Sequence, residues 1–142
     1  MGTPTTIRRS FIAAEPLRIL LVDDHEDCVR PLASLLRREG HVVATAHSVA
    51  GALALASGQP PIDVLVSDIG LPDGDGCNLL DQLRDLYGRR DVPAIAISGY
   101  DDADLIAECR RAGYRTFLLK PVTFDEVSAA LGALLPSSEP VR

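Results

Sequence analysis

Polar side chains close several of the apolar runs in this sequence. Asp23 and Asp24 follow Leu20-Leu21-Val22, Asp68 follows Val64-Leu65-Val66-Ser67, Ser98 follows Ile95-Ala96-Ile97, and Lys120 follows Phe117-Leu118-Leu119. Brought together they make three carboxylates, a hydroxyl and an ammonium. Three close carboxylates repel one another, and one would hold a proton unless a cation intervenes. A hard divalent cation such as Mg2+ suits them, because it takes oxygen ligands in octahedral geometry and keeps waters and phosphate oxygens. An aspartate is also a covalent acceptor of phosphoryl groups. The charge on a transferring phosphoryl group can be neutralised by a metal and a Lys together, and a Ser hydroxyl can donate one further hydrogen bond. These residue types point to an aspartyl-phosphate acceptor centred on Asp68.

Such a site forms only if the chain delivers these residues to one place. The apolar runs 17–22, 41–46, 64–68, 93–98 and 116–120 read as strands buried on both faces. A helix is expected from about Asp27, with Val29, Leu32, Leu35 and Leu36 at helical spacing, Pro31 near its first turn, and Gly40 as a left-handed cap. Ser48 caps a short Ala/Leu helix that stops at Gly58-Gln59-Pro60-Pro61. A third helix runs from about Cys77 to Leu86, and a fourth from Asp101 to Ala112, with Asp101, Asp102 and Asp104 at its positive end and Gly113 after it. Thr123-Phe124-Asp125-Glu126 is a capping box that opens the last helix, expected to reach about Leu135. Alternating strands and helices predict an α/β fold, a doubly wound parallel sheet with helices on both faces in three layers. All strand carboxyl ends then share one edge, where open sheets of this kind hold their ligands.

The 142 residues are enough for one domain with a proper core. A net charge of -6 argues against nucleic acid as a direct partner, since phosphate binding needs a basic stripe. No apolar run approaches a membrane span, so no membrane association is expected, and Arg8-Arg9 lack the apolar stretch of a secretory leader. Cys28, Cys77 and Cys109 form no CxxC and read as three buried thiols of a cytoplasmic protein. Residues 1–16 are expected to be a flexible tail or linker, 17–135 the domain, and 136–142 a second tail.

Leu21-Val22-Asp23-Asp24, Ser67-Asp68-Ile69-Gly70-Leu71-Pro72 with Asp75-Gly76, Ile97-Ser98-Gly99 and Leu119-Lys120-Pro121 together resemble the receiver domain of two-component response regulators, in order and in spacing. The resemblance implies a flavodoxin-like (βα)5 sheet of strand order 2-1-3-4-5. It implies Asp68 as phosphoacceptor, Asp23, Asp24, Asp68 and the Gly70 carbonyl as Mg2+ ligands, and Lys120 on the phosphoryl oxygen. Ser98 and Phe117 would form the switch, and Lys120-Pro121 matches a bond often cis in the family. Gly70 and Tyr100 match positions that set phosphate lifetime, and their types imply slow self-dephosphorylation. The implied donor is a histidine kinase or histidine phosphotransfer protein. The implied readout is a downstream protein target or a covalently linked kinase module, through the surface of helix four, strand five and helix five. A domain that catalyses only its own phosphorylation and dephosphorylation is not an enzyme on an external substrate.

Rival chemistry fits less well. A haloacid dehalogenase-type phosphatase needs a second Asp two residues past the nucleophile, where this chain has Gly70. A calcium loop at Asp73-Gly74-Asp75 would place Asn78 at the sharp-turn Gly and Cys77 and Arg84 at ligand positions. His25 reads as a loop residue, Tyr87, Tyr100 and Tyr114 as half-buried aromatics, and Arg89-Arg90 and Arg110-Arg111 as solvated faces. The competing class is an interaction module with a receiver fold that works without phosphorylation. Few residues follow the last helix, so no output domain is expected. A stand-alone regulator and a receiver cut from a hybrid histidine kinase both remain open.

Overall fold

In the computed structural model, which describes residues 16–58, 60–89 and 91–134, the chain alternates strand and helix throughout. The order is β1 (Arg18–Val22), α1 (Glu26–Arg38), β2 (Val42–Ala46), α2 (Val49–Gly58), β3 (Val64–Asp68), α3 (Gly76–Leu86), β4 (Ala94–Ser98), α4 (Ala103–Ala112), β5 (Thr116–Leu119) and α5 (Phe124–Leu134). The five strands pair in parallel in the order β2-β1-β3-β4-β5, the doubly wound arrangement expected. A short antiparallel ribbon, Gly70–Leu71 against Gly74–Asp75, was not expected.

The period of two along each strand divides the core. Leu20, Val22, Leu65, Ala94 and Ala96 face one side with α2, α3 and α4, while Ile19, Leu21, Val64, Val66, Ile95 and Ile97 face α1 and α5. β3 and β4 lie inside the sheet and every residue in them is buried. That is why their sequences run apolar rather than alternating.

The helix ends differ from expectation in instructive ways. α1 starts at Glu26 with His25 at the cap, so Pro31 falls in the second turn. Both Pro31 and Asp27, whose carbonyl loses its partner, are exposed, and water can satisfy that carbonyl. Gly40, at φ +99°, follows the helix in the left-handed conformation expected of it. β2 begins at Val42 rather than His41, whose backbone N–H still donates to Leu36 carbonyl at the end of α1 while its ring accepts from Leu17 N–H at 3.0 Å. Asp102 caps α4 by accepting from Asp104 N–H, and the Thr123/Glu126 box closes on α5 in both directions.

The start of α2 is secured from two places. Ser48 Oγ accepts from Gly51 N–H at 3.0 Å and Ser48 carbonyl from Ala52 N–H. The other two amides, of Val49 and Ala50, donate to the Asp73 carboxylate at 2.7 and 2.9 Å, from a loop beyond β3. The three helical amides ahead of the first intrahelical bond are thus satisfied.

Two surface expectations are corrected. Cys28 is exposed, Cys77 half-buried and only Cys109 fully buried, so the thiols are not three core residues. Tyr114 is 3% exposed and donates from its hydroxyl to Gly76 carbonyl at 2.7 Å, while Tyr100 is 75% exposed. The expected tails lie outside the described residues except for Pro16, as do Gln59, Arg90 and the expected helix end at Leu135. Among the described residues, no helix is long and apolar enough to cross a membrane.

Candidate functional site at the strand ends

Register brings the separated motifs together. Val22 pairs with Ser67, so the next residues, Asp23 and Asp68, leave adjacent strands side by side. Asp68 pairs with Ile97, one residue short of Ser98, and Ser98 pairs with Leu119, one short of Lys120. Lys120 N–H then donates to Ser98 carbonyl at 2.7 Å. The Lys120-Pro121 peptide bond is cis.

At the centre two buried carboxylates share a half-buried ammonium. Lys120 Nζ lies 2.9 Å from Asp23 Oδ2 and 3.1 Å from Asp68 Oδ2. Asp68 also accepts from Gly70 N–H at 3.3 Å. His25 contributes its backbone N–H to Asp23 Oδ1 at 2.9 Å, and its Nδ1 lies 3.1 Å from both Asp23 Oδ1 and Asp24 Oδ1. Burial dominates at Asp68, and with Asp23 it raises the carboxyl above its ordinary value against the opposing pull of Lys120. Burial also works against the charge on Asp23, but Lys120 and His25 together overcome it and hold that carboxyl low. Burial disfavours the Lys120 ammonium, yet its two carboxylate partners raise it and keep it charged.

The remaining predicted residues take different stations. Asp24 sits at the rim, and its carboxylate joins those of Asp23 and Asp68 and the His25 ring within 4.8 Å. Ser98 is buried and its hydroxyl accepts from Tyr100 N–H at 3.0 Å. Asp24, Asp68, Gly70, Ser98, Tyr100 and Lys120 all line one cleft of about 650 Å³. Gly70 is open, with no atom within 4 Å of where a Cβ would stand. Phe117 is not on that cleft; it is half-buried against the core beneath α3 and α4.

Three carboxylates of this spacing provide the hard oxygen donors that a divalent cation of the Mg2+ type requires, so the donor set fits such an ion. His25, which reads in the sequence as a loop residue, touches both acids of the pair. The contact between Tyr114, which reads as a half-buried aromatic, and Gly76, which reads only as part of a motif, has no signal in the sequence. A Cβ on Gly76 would meet Asp68 carbonyl at 2.9 Å and Tyr114 Oη at 3.1 Å, so this glycine lets α3 approach the acceptor strand closely.

Comparisons with known proteins agree with this architecture. Residues 19–132 match the family model described as response regulator receiver domain. The chain is 34% identical over 113 residues to the photosynthetic apparatus regulatory protein RegA of Cereibacter sphaeroides, covering 80% of this chain and 60% of RegA. It is 36% identical over 115 residues to the transcriptional regulatory protein KdpE of Mycobacterium tuberculosis, covering 81% of this chain and 49% of KdpE. The chain thus spans about half to three fifths of the length of these curated relatives. Among solved structures, a chain of the CheX-CheY-BeF3-Mg complex from Borrelia burgdorferi superposes with a TM-score of 0.74 at 27% identity, covering 83% of this chain and 88% of that one.

Proposed function

Because the chain belongs to the response regulator receiver domain family, we propose that it accepts a phosphoryl group from a phosphohistidine onto Asp68 and signals by a change of surface. The observation that carries this reading is the Lys120 ammonium spanning Asp23 and Asp68 at 2.9 and 3.1 Å among converging strand ends. Asp68 Oδ attacks phosphorus as the bond to the donor imidazole breaks, and the electron pair returns to that nitrogen. Lys120 is placed to pair with a phosphoryl oxygen. Asp23, Asp24, Asp68 and the Gly70 carbonyl would hold Mg2+, which neutralises charge on the phosphoryl oxygens. The site transforms no external substrate, so the chain acts as a switch rather than an enzyme.

Ser98 and Phe117 carry the response in this reading. The Ser98 hydroxyl leaves Tyr100 N–H for a phosphoryl oxygen, and half-buried Phe117 follows, reshaping α4, β5 and α5 by population shift. The donor is a histidine kinase or histidine phosphotransfer protein. The readout is a downstream protein or a linked kinase module. Gly70 carries no side chain to orient a hydrolytic water, which favours a long-lived phosphate.

Intact mass after incubation with acetyl phosphate and Mg2+ tests the reading, beside Asp68→Asn and a metal-free control. One phosphoryl adduct, absent from both controls, is expected. No adduct with acetyl phosphate or with a phosphorylated histidine phosphotransfer protein would overturn it and leave an interaction module with a receiver fold.

A further inference from the structure

Beside the cleft, two sulfurs face each other across the junction of α3 and α4. Cys77 lies in the first turn of α3 and Cys109 in the second half of α4, and their Sγ atoms are 4.0 Å apart. Both are free thiols. A disulfide needs about 2.05 Å between sulfurs, so the two must approach by about 2 Å to join. The two differ in access: Cys77 is half-buried and lines the cleft, whereas Cys109 is 1% exposed behind it. The less sheltered Cys77 is the sulfur that an oxidant entering the cleft meets first, with Cys109 beside it to resolve the product. The third thiol, Cys28, sits on α1 across the sheet and cannot intercept either one.

We propose that Cys77 and Cys109 form a redox modification site, a dithiol that peroxide converts into a disulfide tying the first turn of α3 to α4. The Cys77 thiolate attacks one peroxide oxygen, the O–O bond breaks, and a sulfenic acid forms as hydroxide leaves and takes up the thiol proton to give water. Cys109 sulfur then attacks Cys77 sulfur, the S–O bond breaks, and the hydroxyl departs with the Cys109 proton as a second water. The pair loses two electrons and the peroxide gains them. Burial, and then the neighbouring Cys109, push the Cys77 thiol up to about 12, and burial raises Cys109 also. Little thiolate is therefore present at neutral pH, and the first step is slow. The second is intramolecular. The disulfide fastens α4, which lends Leu105 and Glu108 to the cleft, to the helix that follows the acceptor loop.

The test uses the full chain carrying Cys28→Ser, reduced, treated with hydrogen peroxide, alkylated in denaturant and mapped without reduction. A linked peptide containing residues 77 and 109 is expected, with the loss of two hydrogens, reversed by dithiothreitol. Adding Cys77→Ser, at the half-buried position, should leave Cys109 fully alkylated. The proposal is overturned if both thiols stay alkylatable under peroxide that has consumed Cys28 in the unmodified chain. It is equally overturned if Cys77 proceeds to sulfinic acid while Cys109 remains reduced. No phosphoryl donor enters this experiment, so its outcome is independent of whether Asp68 is phosphorylated.

Discussion

Replacing Lys120 with Met keeps most of the side chain but removes the ammonium between Asp23 and Asp68. Removing one partner of a buried ion pair costs about 3–5 kcal/mol, because the remaining charge is stranded. The Lys120 side chain is 19% exposed and the two carboxylates 6% and 9%. Solvent screening therefore brings the expected loss to about 2–3 kcal/mol. A domain of this size loses about 4 °C of Tm per kcal/mol, so the melt should fall by about 8–12 °C. The pH profile carries the signature. In the parent, the carboxyl of Asp23 is held below its ordinary 3.8 despite burial. Its stabilisation is present above that value and is lost as pH falls through the lower folded one. Asp68, already raised in the parent by burial and by Asp23, has the opposite slope. In the variant Asp23 is raised too and joins it, so stability climbs as pH falls, because the folded state takes up protons more readily than the unfolded. Mg2+ at about 100 times its Kd would return about 2.7 kcal/mol. Thermal melts followed by circular dichroism, at several pH values with and without Mg2+, provide the assay. A variant melting within about 2 °C of the parent at neutral pH, with the same pH profile, would refute the stranded-charge argument.

Three further predictions concern the surroundings of the triad. Gly76→Ala should cost about 1–3 kcal/mol in urea unfolding, since its Cβ would stand 2.9 Å from both Asp68 carbonyl and Ile69 Cδ1, whereas Gly70→Ala, with open space around it, should leave stability unchanged. Asp73→Ala should lower thermal stability by stripping two amides of α2; Asp73 is held below 3.8 by the Ala50 and Val49 N–H groups, so parent and variant should converge as pH falls through that lower value. Gly70→Asn should shorten the lifetime of the phosphorylated protein, followed by intact mass after the donor is removed. A parent that loses its phosphate within seconds would contradict the slow hydrolysis inferred from the missing side chain.

The fold was largely legible because each strand is an apolar run closed by a polar residue, and the helices announce themselves with Gly40, Gly113 and the Thr123/Glu126 box. Convergence at one edge followed from parallel topology before any distance was known. Contacts between segments distant in sequence were not legible. Asp73 reads locally as a loop acid, and only the approach of α2 makes it a cap. Cys77 and Cys109 are 32 residues apart, and no spacing rule links the first turn of α3 to the second half of α4. Tyr114 reads as a surface aromatic because its partner, the Gly76 carbonyl, is exposed by no pattern in the sequence. Pro31 was placed in a first turn on propensity, and exposure of the affected carbonyl allowed the second.

The divided cap of α2 bears on the order in which the chain can become native. This helix is ten residues long, carries no acid in its first turn or base in its last, and includes Gly51 and Gly58. It is too short and too glycine-containing to persist alone in water. Ser48 arrives with the helix, but the carboxylate for its first two amides is synthesised only after β3 and the turn that follows it. A nascent chain ending before Asp73 would expose a frayed α2, and its amides would exchange with solvent as open chain. Once that loop folds back, the segment carrying Asp68 and the start of α2 become one cooperative unit. Loosening of the acceptor loop should then appear first as faster hydrogen exchange at Val49 and Ala50.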